Sequence, residues 1–96
     1  MKIIWASRAI KELQKIYVFI EEDSPQNANL LIDEITNKVT ALPLHPKRYN
    51  TDKYKKDNAG NYRAFEFKKV RLSYKIEKQS IRIVRIRHSK QYPKDY

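Results

Sequence analysis

Cysteine is missing from this chain, so disulfides and thiolate metal sites are excluded. The absence fits a reducing compartment. Glycine occurs once, at Gly60, and no Gly-rich loop exists to cradle a nucleoside triphosphate. The two histidines, His45 and His88, form no His-x-x-x-His pattern, so neither a metal nor a cofactor is expected. No apolar run nears the about 20 residues of a membrane-spanning helix. The opening Met-Lys-Ile-Ile-Trp lacks the long apolar core of a secretory leader. The default reading is a cytoplasmic protein without a membrane partner.

Acidic residues are also in short supply. Against 21 Lys+Arg the chain has 11 Asp+Glu, a net charge of +10. Its 96 residues suit a single domain, 1–96, able to bury roughly two-thirds of its unfolded surface. The positive charge is unevenly placed. Residues 1–46 are close to neutral, whereas residues 47–96 hold sixteen Lys and Arg against five acids. Such a half attracts polyanions or an acidic protein partner.

In chain order, Met1–Trp5 reads as a short first strand. Ser7 is placed to cap a following helix, whose Ile10, Leu13, Tyr17 and Ile20, joined by Ile16 and Val18, make a broad apolar face. Glu21-Glu22-Asp23 ends that helix with the wrong charge for its dipole. Ser24-Pro25 starts a second helix by hydroxyl cap and first-turn proline. Ala28, Leu31, Ile32, Ile35, Val39 and Leu42 stripe it until Pro43. So short a connection predicts an antiparallel helix hairpin. Leu44–Gly60 is polar and reads as the most exposed, mobile stretch. Its lysines alternate with Tyr49 and Tyr54, a pattern that can follow a phosphate backbone and stack on bases, or simply be solvated.

Three strands follow. Arg63, Phe65 and Phe67 share one face of the first. In the second, Val70, Leu72, Tyr74 and Ile76 alternate with Arg71, Ser73, Lys75 and Glu77, which turns Arg71 and Lys75 outward. The third breaks phase: Ile81 and Ile83 lie on one face, Val84 and Ile86 on the other. That predicts either two covered faces or a bulge near Val84. Lys68-Lys69 and Glu77–Gln79 are the expected turns.

The remaining chemistry is a cationic cluster of Arg71, Arg85, Arg87, His88, Lys90, Tyr92 and Tyr96. Guanidiniums can stabilise the added charge of a pentacoordinate phosphate, and a histidine or perturbed lysine can move the proton. Metal-free RNA cleavage needs both. A binding patch, plain solvation or a sheet-capping network would use the same residues.

Several motifs, in order, resemble the RelE/ParE superfamily of bacterial type II toxins. They are Ile3-Ile4-Trp5-Ala6, Ser24-Pro25, Leu42-Pro43-Leu44-His45-Pro46, Gly60–Phe65, Val70–Ile76 and Ile86–Pro93. The likeness covers essentially the whole chain. It implies an α+β fold of β-α-α-β-β-β order, RelE-like, with a helix hairpin on one face of a small, mainly antiparallel sheet. It also implies an acidic antitoxin partner. One branch of the superfamily cuts messenger RNA on the ribosome; there Arg71 would stabilise the phosphate, while His88, Lys90 and Tyr92 would transfer protons or stack on a base. The other branch inhibits DNA gyrase through contacts alone, and the His88–Pro93 form of the tail is similar to that branch too. Lys90 stands where arginine is common, which weakens a bidentate phosphate contact. The expectation favours the endoribonuclease, with gyrase inhibition second and a non-toxic nucleic-acid-binding domain third. Lys53, Lys55, Arg63, Lys75, Arg85 and Arg87 are the expected nucleic-acid contacts.

Overall fold

Ser24 behaves as its sequence context requires. Its side chain accepts the Asn27 amide at 3.2 Å and Pro25 occupies the first helical turn, so a new helix starts with only three residues between it and the last one. The computed structural model describes residues 1–88 and 95–96; the expectations placed on Lys90 and Tyr92 lie outside these described residues. The elements are β1 (Lys2–Trp5), α1 (Ser7–Glu21), α2 (Pro25–Ala41), a 3₁₀ turn (Leu42–Leu44), β2 (Tyr62–Phe67), β3 (Val70–Ile76) and β4 (Ser80–His88). The β-α-α-β-β-β order and the α+β class are those expected.

The sheet runs β1-β4-β3-β2. The β2–β3 and β3–β4 pairs are antiparallel, and β1 lies parallel to β4 from Lys2 beside Ser80 to Trp5 beside Ile83. The phase break in β4 is a bulge. Ser73 pairs with Arg85 and Tyr74 with Ile83, leaving Val84 as the extra residue. The Lys68-Lys69 turn has φ of 48° and 66°, so two lysines take the left-handed conformation that a two-residue hairpin demands.

One core lies between the helices and one face of the sheet. Ile35, Val39, Leu72, Tyr74, Ile81, Ile83 and Ile86 lie at its centre, nearly or wholly buried. The α2 stripe is as expected; the α1 stripe is rotated. Ala9 and Ile16 are buried, with Leu13 and Ile20 packed beside them, while Ile10 and Val18 face outward at 42% and 53% exposure. The small Ala9, left out of the periodic pattern, is what allows close packing there. Ser7 does not cap α1 either: Ala6 occupies the cap position and no side chain bonds the first turn. There the chain is held by the Ala6 amide donating to the Ile83 carbonyl at 2.9 Å, as β1 runs into the helix.

The largest departure is the linker. Residues 45–60 do not float in solvent but are bound to the sheet. Tyr74 donates its hydroxyl to the Pro46 carbonyl at 2.7 Å, and Arg63 Nη1 donates to the carbonyls of Lys47 and Tyr49. The Asp52 amide bonds the Tyr62 carbonyl and the Ala64 amide bonds the Asn50 carbonyl, extending the sheet past β2. An irregular segment can lie on a sheet only when its polar backbone groups find such partners.

Candidate functional site on the outer sheet face

Strand pairing assigns the cations of the paired strands to a face. Val70, Leu72, Tyr74 and their partners His88, Ile86 and Ile83 point at the helices, so Glu66, Arg71, Ser73, Lys75, Arg82, Arg85 and Arg87 lie on the opposite, outer face. Alternation predicted Arg71 there correctly, but not its surroundings. Arg71 is only 9% exposed, and the ring of Tyr54 from the linker lies over it.

Asp52 organises this covering. Its carboxylate accepts Arg71 Nη2 at 2.9 Å, the Tyr96 hydroxyl at 2.6 Å and the Tyr54 amide at 3.1 Å. Burial alone would raise its pKa, but these hydrogen bonds, led by Tyr96 and Arg71, outweigh burial and hold it at about 2. Arg71 also donates from Nη1 to Glu66 at 3.1 Å and lies under the Tyr54 ring. Burial opposes its charge; Asp52 and then Glu66 more than compensate, and its pKa rises. Burial and the bond to Asp52 raise the Tyr96 phenol as well. Asp52 carried no sequence motif. Its one clue is that it is the only acid in the basic run from Lys47 to Lys56.

The other arginines of this face are committed too. Arg85 reaches Glu12 of α1 with Nε and Nη2 at 3.0 to 3.2 Å, while the same carboxylate accepts the Ile86 amide at 3.0 Å. Glu12 therefore closes the edge of β4 where β1 stops short. Arg82 bonds Glu77 at 3.2 Å. Arg87 is 4% exposed beneath Tyr96, and burial, then Arg85, push its pKa down. Arg63 pairs with Tyr74 and so lies on the helix side, where it holds linker carbonyls instead of facing a ligand.

The expected catalytic group is divided. His88 pairs with Val70 and meets Phe19 of α1 ring to ring at 6.0 Å, whereas Arg71 stands on the other face of the sheet. A strand cannot present consecutive-parity residues to one side, so Arg71 and His88 do not converge on one phosphate here. Lys53, Lys55 and Lys75 remain together on the outer face, stacked over Tyr54 and Tyr62. Among the described residues no group of three or more His, Asp or Glu could hold a metal ion.

The comparisons agree with the architecture. Among solved structures, the chromosomal ParDE toxin–antitoxin system from P. aeruginosa is 18% identical. It aligns over 92% of this chain and 95% of its own, with a TM-score of 0.70. The RelBE2 toxin–antitoxin complex from Mycobacterium tuberculosis is 16% identical over 91% of this chain and 88% of its own, with a TM-score of 0.59. At these identities the likeness establishes the fold. No curated protein sequence gives a match. The family described as the ParE toxin of the type II toxin–antitoxin system parDE matches residues 3–93. This chain belongs to the ParE toxin family of type II toxin–antitoxin systems.

Proposed function

We propose that this toxin acts by binding rather than by cutting, as a ParE-like inhibitor of DNA gyrase, and that an acidic antitoxin neutralises it. The observation that carries this reading is the state of Arg71. A phosphate-stabilising arginine needs an open guanidinium, yet this one is covered, bonded to two carboxylates and separated from His88 by the thickness of the sheet. Withdrawing it from Asp52 would leave a buried carboxylate without its cation, at several kcal/mol. The endoribonuclease expectation depends on that arginine. Family membership supports the same choice, since the gyrase-inhibiting branch is the ParE-like one.

The deciding experiment compares supercoiling by purified DNA gyrase with cleavage of ribosome-bound messenger RNA, both with added toxin. Loss of supercoiling with intact messenger is the expected result, reversed by the cognate antitoxin. Messenger cleavage with normal supercoiling would overturn the proposal, and so would inactivity in both assays.

A further inference from the structure

We infer that the toxin itself grips duplex DNA, through a phosphate-binding strip formed by Lys53, Lys55 and Lys75 on the outer sheet face. This goes beyond contact with a protein target, and it rests on how the cations of this face are partnered. Three of its arginines are tied to carboxylates: Arg71 to Asp52 and Glu66, Arg82 to Glu77, Arg85 to Glu12. Among the described residues Lys53 and Lys55 have no carboxylate partner, and Lys75 has only a long one. Lys55 and Lys75 sit 4.8 and 5.6 Å from the centre of the Tyr62 ring, and Lys53 sits 5.3 Å from that of Tyr54. Lys55 also donates to the Tyr96 carbonyl at 3.1 Å, and Lys75 is 4.0 Å from Glu77, whose shorter bond is to Arg82.

A ring face orients an ammonium without neutralising it. The rings therefore hold these ammonium groups in set positions, which is what contact with successive phosphates requires. The same geometry selects the ligand. Unstacked bases would need open aromatic faces. Tyr62 already carries two lysines, and Tyr54 carries Lys53 and, at 4.7 Å, Arg71. With the rings occupied by cations, the strip reads a backbone and not bases. Duplex DNA, with one charge per about 1.7 Å of axis, is the backbone that rewards this most. Binding is then independent of sequence and strongly dependent on salt.

The test is fluorescence anisotropy with a labelled DNA duplex and the isolated toxin, across a range of salt concentrations. Gyrase is left out, so the outcome is independent of the supercoiling assay. Lys53→Gln/Lys75→Gln should weaken binding about tenfold at low salt, and adding Lys55→Gln should weaken it further. Each lost phosphate contact flattens the slope of log affinity against log salt by about 0.9. Lys11→Gln/Lys15→Gln, the same charge change on exposed positions of α1, should leave the slope unchanged. Thermal melting checks that every variant is folded. Four results would each overturn the inference: no duplex binding by the unaltered toxin, equal losses in both charge-matched variants, an unchanged slope in the strip variants, or tighter binding of single strands or RNA.

Discussion

Asp52 and Arg71, nineteen residues apart in sequence, meet at 2.9 Å beneath the linker, the carboxylate wholly buried and the guanidinium nearly so. Removing either partner leaves the other with weaker compensation only, Tyr96 and Tyr54 for Asp52 and the exposed Glu66 for Arg71, so Asp52→Ala and Arg71→Ala should each cost about 3 kcal/mol. The double variant should cost less than their sum by about 1 kcal/mol or more. Urea denaturation of the three variants measures this coupling. Full additivity would show that the pair is not a unit.

The pair also sets the acid limb of stability. Asp52 titrates at about 2 in the folded chain, against an ordinary 3.8. A folded-state pKa below the unfolded one means that the stabilisation is present above the unfolded value. It is lost as pH falls through the folded value. The urea midpoint should therefore drop between pH 3.8 and about 2, and Asp52→Asn should flatten that drop. An acid limb of the same steepness in Asp52→Asn would remove the assignment.

Glu12 serves the edge of the sheet. It satisfies Arg85 and the Ile86 amide together, so Glu12→Ala should destabilise the toxin by about 2 kcal/mol. It should also expose an unpaired stretch of β4 and promote aggregation. Light scattering at rising concentration reads the second effect, and a soluble, monodisperse variant would contradict it.

Tyr74 links core to linker. Its hydroxyl reaches the Pro46 carbonyl, and burial pushes its pKa up to about 12. Tyr74→Phe keeps the core packing and loses the bond, at about 1 kcal/mol. Amide exchange should quicken locally around residues 45–50 while the helices keep their protection; a uniform change would argue against a local tether.

The hairpin turn leaves room for improvement. Lys69 has φ 66°, a conformation costly for a side chain and free for glycine. Lys69→Gly should raise stability by about 0.5 kcal/mol, read as a higher urea midpoint. A lower midpoint would mean that the lysine makes a compensating contact.

What could be read along the chain was what depends on neighbours in sequence. Ser24-Pro25 is legible because cap and proline act within one turn. The α2 stripe and the β3 alternation are legible because their periods are local geometry. Even the bulge at Val84 left a trace, as a change of parity between Ile83 and Ile86. The rotated face of α1 was harder, because Ala9 has too little apolar surface to mark a core position by pattern.

The sequence by itself determined the order of elements, the single core, the basic second half and the resemblance that family membership confirms. Only the tertiary structure decided which cations are free to work. Alternation places Arg71 on the outer face but cannot say what lies above it. That answer came from Asp52, a lone acid in a polar stretch, and from Tyr96, far along the chain. A charge is buried, paired or exposed according to contacts across the fold, and such contacts leave no periodic signal in the residues that make them.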